Sequence, residues 1–133
     1  MGLRSALSRR AARSSTVDLD MAIQKHAQWK FKFLNALHNK EVMDEIAISR
    51  DSNCEFGKWL HGDAKAQFGM VGSYAKCVAD HAAFHVEAGK VAVAINARKP
   101  EEVERMMAKG SAYDQASRTV AISIIELKNA THK

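Results

Sequence analysis

The feature that most constrains the fold is a strict seam between Ser73 and Ala97. Tyr74, Val78, His81, His85, Ala88, Ala92 and Ile95 recur in alternating steps of four and three. That alternation keeps one face of an α-helix turned toward neighbouring helices. It also sets two histidines, His81 and His85, on the core-facing side. A polar ring in an apolar interior is costly unless something pairs with it. The seam that calls for a helical bundle therefore also raises the question of what the two histidines hold.

The remaining sequence reads as helix too. One proline and seven glycines in 133 residues leave room for long helices with few turns, and strand-type alternation is scarce. A first helix is expected from about Val17 to Leu37, with an acid near its start (Asp18 or Asp20) where the helix dipole favours one. Ile23, Ala27, Leu34 and Leu37 mark its apolar stripe, and His26, Trp29 and Phe33 lie on an adjoining face. A short amphipathic stretch, Glu41 to Ile48, follows, and Ser49 to Asn53 reads as a loop. Asn53 is placed to cap a short helix from Cys54 to Leu60. Gly62, Gly69 and Gly72 make His61 to Ser73 loop-rich. After Arg98-Lys99-Pro100, a last helix is expected to run to about Lys128. Its seam is Val103, Met106, Gly110, Tyr113, Ser117, Val120, Ile124 and Leu127, with small residues near the middle. The fold class expected is all-α: an antiparallel four-helix bundle with an extra short helix carrying Cys54.

Charge is unevenly distributed. The formal net charge is +5, from 20 basic and 15 acidic residues. Arg4, Arg9, Arg10 and Arg13 fall in the first sixteen residues, which contain no acid. Residues 17–133 are thus nearly neutral, which argues against a nucleic-acid-binding body. Residues 1–16 read as a basic, disordered tail. They lack the apolar core of a secretion signal, and Ala6 breaks the myristoylation pattern. No apolar run reaches the roughly 20 residues of a membrane span. Two cysteines do not make a disulfide framework in a chain of this size, so a reducing cytoplasm is expected. Cys77, off the main seam, reads as a small, partly buried packing residue. His38, His61 and His132 read as solvated, and Met106 and Met107 as core.

His81 and His85 are four residues apart, so both rings project to one side of their helix. Two core histidines bonded to backbone or water would give the same pattern. With His26 and Cys54, however, the chain offers three imidazoles and a thiolate, a full tetrahedral set for Zn²⁺ if they converge. Other chemistries fit less well. A zinc protease helix needs a Glu directly after its first His, and Ala82 stands there. A di-iron site needs Glu-x-x-His on two helices, and no such pair exists. A Cys–His nucleophile pair is possible in principle, but nothing in a small helical bundle supplies a substrate pocket. No enzymatic activity is expected.

The run Cys54-Glu55-Phe56-Gly57-Lys58-Trp59-Leu60, followed by Gly62, resembles the signature of the chemoreceptor zinc-binding domain family. The likeness extends over roughly residues 20 to 130. It takes in His26 with Trp29 on a first helix, Cys54 with Phe56, Gly57 and Trp59, and the His81-x-x-x-His85 pair on a later helix. The resemblance implies a four-helix bundle that holds one Zn²⁺ through His26, Cys54, His81 and His85, usually as a homodimer. Family members occur in bacterial chemoreceptors and diguanylate cyclases, and some stand alone. They are linked to the sensing of zinc and of oxidants such as hypochlorous acid. This chain carries no signalling hairpin and no cyclase domain, so it reads as a stand-alone member or an excised domain. The expectation is a sensory or regulatory domain that acts on a signalling partner protein. In it Cys54, the oxidisable ligand on a short mobile segment, lets go while three histidines on long helices hold. The competing expectation is an interaction module whose zinc is purely structural.

Overall fold

The computed structural model describes residues 18–131; the basic tail and His132 lie outside them. The described residues are helical throughout, without strands. In chain order the α-helices are α1 (Leu19–Ala27), α2 (Trp29–Asn39), α3 (Glu45–Ser49), α4 (Glu55–His61), α5 (Asp63–Phe68), α6 (Gly72–Asn96), α7 (Pro100–Met106) and α8 (Ala112–Thr131). A 3₁₀ turn, Asp51–Asn53, separates α3 from α4.

The long α6 is the axis of an all-α bundle. It packs most extensively on α8 and then on α3. The start of α6 meets the end of α8, where Lys76 Nζ donates to Glu126 Oε1 at 3.0 Å. These two helices are therefore antiparallel. Lys128 of α8 reaches back to Asp20 of α1 at 2.8 Å, so α1 also runs against α8. Asn96, at the end of α6, bonds Met43 just before α3, while Ile48 near the end of α3 meets His85. The second column of the bundle thus runs antiparallel to α6, but it is built from short pieces.

The seam of α6 is buried as expected at Tyr74, His81, His85, Ala88, Ala92 and Ile95. A second stripe, Cys77, Phe84 and Val91, is equally buried. A helix flanked on several sides needs more than one apolar stripe. That is why Cys77 is fully enclosed and not partly buried.

Three local expectations need correction. The first helix is interrupted at Gln28, and its core face is Leu19, Ala22, His26, Phe33 and Ala36. With half-buried Trp29 these positions keep steps of three and four. Ala27 and Leu34, assigned to the apolar stripe, are exposed. The stretch after His61 is not simply loop, since it contains α5. The last helix is broken between Met106 and Ala112, and Gly110 sits exposed at the break with φ 86°. That left-handed conformation suits glycine. Ser111 then starts α8 by accepting the Asp114 amide, while Asp114 accepts the Gly110 amide. This reciprocal cap supplies amide partners that a continuous helix would have found in its own backbone. Gly110 therefore makes a turn and does not line an interhelical seam.

Candidate metal centre

His26 is delivered by α1, and His81 and His85 by consecutive turns of α6. All three are buried, at 5%, 0% and 2% exposure. Cys54 comes from the junction of the 3₁₀ turn and α4. It is the N-cap of α4 and not its first helical residue, with extended backbone (φ −89°, ψ 157°). Its Sγ accepts the Gly57 amide at 3.2 Å. Asn53, expected to cap this helix, instead bonds the Ala47 carbonyl.

The four side chains converge. One ligand atom from each of His26, Cys54, His81 and His85 lies within 4.8 Å of all the others. His81 Nε2 is 3.0 Å from His26 Nε2 and 3.1 Å from His85 Nε2. Cys54 Sγ is 3.3 Å from His81 Nε2 and 3.6 Å from His85 Nε2. Ligands around a four-coordinate zinc would be separated by about 3.3 Å for N···N and about 3.6 Å for S···N, given the usual bond lengths.

Hydrogen bonding does not account for this cluster. His26 Nδ1 donates to the Ala22 carbonyl at 2.7 Å, and His85 Nδ1 donates to the Ile48 carbonyl at 2.8 Å. A carbonyl only accepts, so both rings carry their proton on Nδ1 and aim a lone pair from Nε2. His81 Nε2 faces both lone pairs, and a single N–H there could serve one of them at best. A buried centre ringed by lone pairs and a sulfur suits a divalent, borderline-soft cation.

The electrostatics agree. Burial drives the His26 pKa down to about 4, outweighing the Ala22 hydrogen bond, which acts in the opposite direction. Burial, helped by the neighbouring histidines, takes His81 down to about 2. Burial lowers His85 as well. The rings are therefore neutral, as metal ligands must be. Burial raises the Cys54 thiol pKa, and this outweighs the amide hydrogen bonds of Gly57 and Phe56 that favour the thiolate. The helix start alone does not make Cys54 a thiolate; a bound cation would.

Cys54 is the one member of the set that is only partly buried. It opens, with His85, onto a cleft lined by Trp29, Met43, Ile48 and Arg50.

A family model, the chemoreceptor zinc-binding domain, matches residues 26–92, half of the chain and all four converging residues. The chain belongs to the chemoreceptor zinc-binding domain family. Comparison with curated proteins and with solved structures finds no match.

Within this chemoreceptor zinc-binding domain, sequence reasoning found the four converging residues and the motif around Cys54, but not every contact that supports them. Gly57, within that motif, is one supporting residue. A Cβ there would lie 1.6 Å from the Asp51 carbonyl oxygen and 3.1 Å from His81 Cε1. Only glycine lets α4 approach the turn and the His81 ring so closely. Tyr74 is another: its hydroxyl donates to the Leu60 carbonyl at 2.6 Å, tying the end of α4 to α6. Phe56, Trp59 and Leu60 are buried besides. The short helix is therefore anchored as a whole. His38 is exposed as expected, whereas His61, also exposed, is bonded to Asp51. Neither belongs to the converging set.

Proposed function

We propose that this protein is a bacterial sensory or regulatory domain holding one Zn²⁺ through His26, Cys54, His81 and His85, with Cys54 as its responsive ligand. The carrying observation is the convergence of three neutral imidazoles and one sulfur, their ligand atoms all within 4.8 Å of one another. With four protein ligands no position is left for a catalytic water, which favours a regulatory or structural zinc and a protein without enzymatic activity. Bound there, zinc would supply charge that keeps Cys54 a thiolate, without redox chemistry of its own.

His26 and His85 help to fix the pocket, each pinned through Nδ1 to a backbone carbonyl. Cys54 differs in being soft, oxidisable and partly open to the cleft. Two-electron oxidation by hypochlorous acid converts the thiolate to a sulfenic acid and releases chloride (RS⁻ + HOCl → RSOH + Cl⁻). The oxidised sulfur is a poorer ligand. Rotation of the N-cap turn would then free Cys54 while α4 stays docked. The altered surface would be read by a signalling partner protein, in chemotaxis or cyclic-di-GMP type signalling, with the domain acting as a cytoplasmic homodimer.

The firm packing of α4 favours one alternative, a purely structural zinc in an interaction module. Two measurements separate the readings. Metal analysis of the purified protein should find one zinc per chain. Stoichiometric hypochlorous acid should release it to a chromogenic chelator in step with loss of the Cys54 thiol. Zinc retained while Cys54 oxidises would overturn the switch; loss of helicity on chelation alone would favour the structural reading.

A further inference from the structure

The three histidines of the cluster are not equally supported. His26 and His85 each donate Nδ1–H to a backbone carbonyl. His81, the most deeply buried, has an Nδ1 without any hydrogen-bond partner. Its nearby polar group is the Asp51 carboxylate, with Oδ2 at 3.9 Å from Nδ1. The same oxygen accepts His61 Nε2–H at 2.7 Å. A carboxylate only accepts, so the proton in that bond belongs to His61. Asp51 opens the 3₁₀ turn, and His61 closes α4. The pair therefore brackets the whole Cys54-bearing segment. The Asp51 carbonyl also contacts Cys54 Sγ at 3.6 Å, and it is the atom against which Gly57 is packed.

We propose that Asp51 is the positioning residue for His81, and that His61 holds Asp51 in place for that task. The proposal rests on the reading of His26, Cys54, His81 and His85 as a metal site. When His81 offers its Nε2 lone pair to a cation, its one ring proton must sit on Nδ1. That N–H is enclosed and needs an acceptor. A small rotation of the Asp51 side chain closes the gap and completes a carboxylate–histidine–metal array, a common means of fixing ring orientation and raising ligand basicity. All three imidazoles are then held at the far nitrogen, two by main chain and one by a carboxylate. That carboxylate is also the clip on the Cys54 loop. Asp51 thereby links the ligand that holds to the ligand that leaves.

The test uses the full chain and zinc. Affinity is measured by competition with a chromophoric chelator for wild type, Asp51→Ala, Asp51→Asn, Asp51→Glu and His61→Gln. Far-ultraviolet circular dichroism checks each fold. Asp51→Ala should lower zinc affinity about 10–100-fold, and Asp51→Glu should recover part of the loss. His61→Gln should lose less than Asp51→Ala. A second readout is the His81 Nδ1–H proton in the ¹H–¹⁵N spectrum of zinc-loaded protein. It should be downfield and slow to exchange in wild type, shift upfield in Asp51→Asn, and exchange rapidly in Asp51→Ala. A merely structural clip would not move that resonance. If Asp51→Ala fails to fold, the near-isosteric Asp51→Asn carries the test through both readouts. Affinities within twofold of wild type, or an unmoved His81 signal in the variants, would overturn the role of Asp51. Failure of wild type itself to bind zinc would instead overturn the metal-site reading beneath it.

Discussion

At the scale of single residues, the site sets local propensity against contact. Gly57 lies inside α4, where alanine would favour the helix by about 1 kcal/mol. Yet a Cβ at this position would meet the Asp51 carbonyl oxygen at 1.6 Å. That neighbour is main chain and cannot swing aside, and overpacking of this kind costs about 1–3 kcal/mol. Gly57→Ala should therefore destabilise the protein by about 2 kcal/mol in urea unfolding; equal or greater stability would show that the turn yields. Cys54→Ser tests the sulfur. It keeps a weak acceptor for the Gly57 amide but removes the soft ligand, so zinc affinity by chelator competition should fall roughly 100-fold or more, exceeding the ~10–100-fold typical of losing a supporting residue. The converging residues were legible in the sequence because periodicity and a local motif mark them. His81 and His85 fall on a heptad, and Cys54 opens a distinctive run. Asp51 carries no such mark. A lone acid in a polar stretch gains meaning only when the 3₁₀ turn sets it between His61 and His81.

At the scale of elements, α6 could be read from its sequence because one uninterrupted repeat runs its length. The last helix could not, since its apparent seam continues across a break. Val103, Tyr113, Val120, Ile124 and Leu127 are all buried, but in two helices meeting at Gly110. The signal that marks the break is local: Gly110 followed by Ser111 and Asp114 as a reciprocal cap. The segment before α3 is tied to α6 through Asn96. Asn96 accepts the Met43 amide at 2.8 Å and donates to the Met43 carbonyl at 2.8 Å. Met43 also lines the cleft in front of Cys54. Asn96→Ala should remove both bonds, at a cost of about 1–3 kcal/mol. It should speed hydrogen exchange at the Met43 amide while leaving the centre of α6 protected. Unchanged protection at Met43 would mean that the strap is held by other contacts. Faster oxidation of Cys54 in the same variant would identify the strap as a cover for the cleft.

At the scale of the whole molecule, the buried histidines make stability depend on pH and metal together. In the metal-free fold, burial holds His26 near a pKa of about 4, His81 near about 2, and His85 below its ordinary value. In the unfolded chain all three titrate near 6.5. Between pH 6.5 and about 4 the unfolded chain therefore binds more protons than the folded one, so stability falls as the pH falls. His26 and His81 each contribute a slope approaching roughly 1 kcal/mol per pH unit within that window, and His85 adds to it in the same direction. As the pH rises past 6.5 the unfolded-chain rings lose their protons too, and the slope fades to nothing over about one to two further pH units. Zinc acts on the same rings in the opposite sense, because it binds only their neutral form in the folded geometry. At neutral pH, free zinc at 1,000 times Kd should add about 4 kcal/mol, and this gain should shrink as acid competes for the ligands. Urea unfolding from pH 8 to pH 4.5, with zinc and with chelator, checks both limbs. Two curves that converge toward low pH are the expected result. A metal-free protein as stable at pH 5 as at pH 7 would contradict the burial of neutral imidazoles. The whole bundle is then a reporter of its centre: packing α1, α3 and α4 around α6 encloses three imidazoles whose neutrality the fold needs and a cation would exploit.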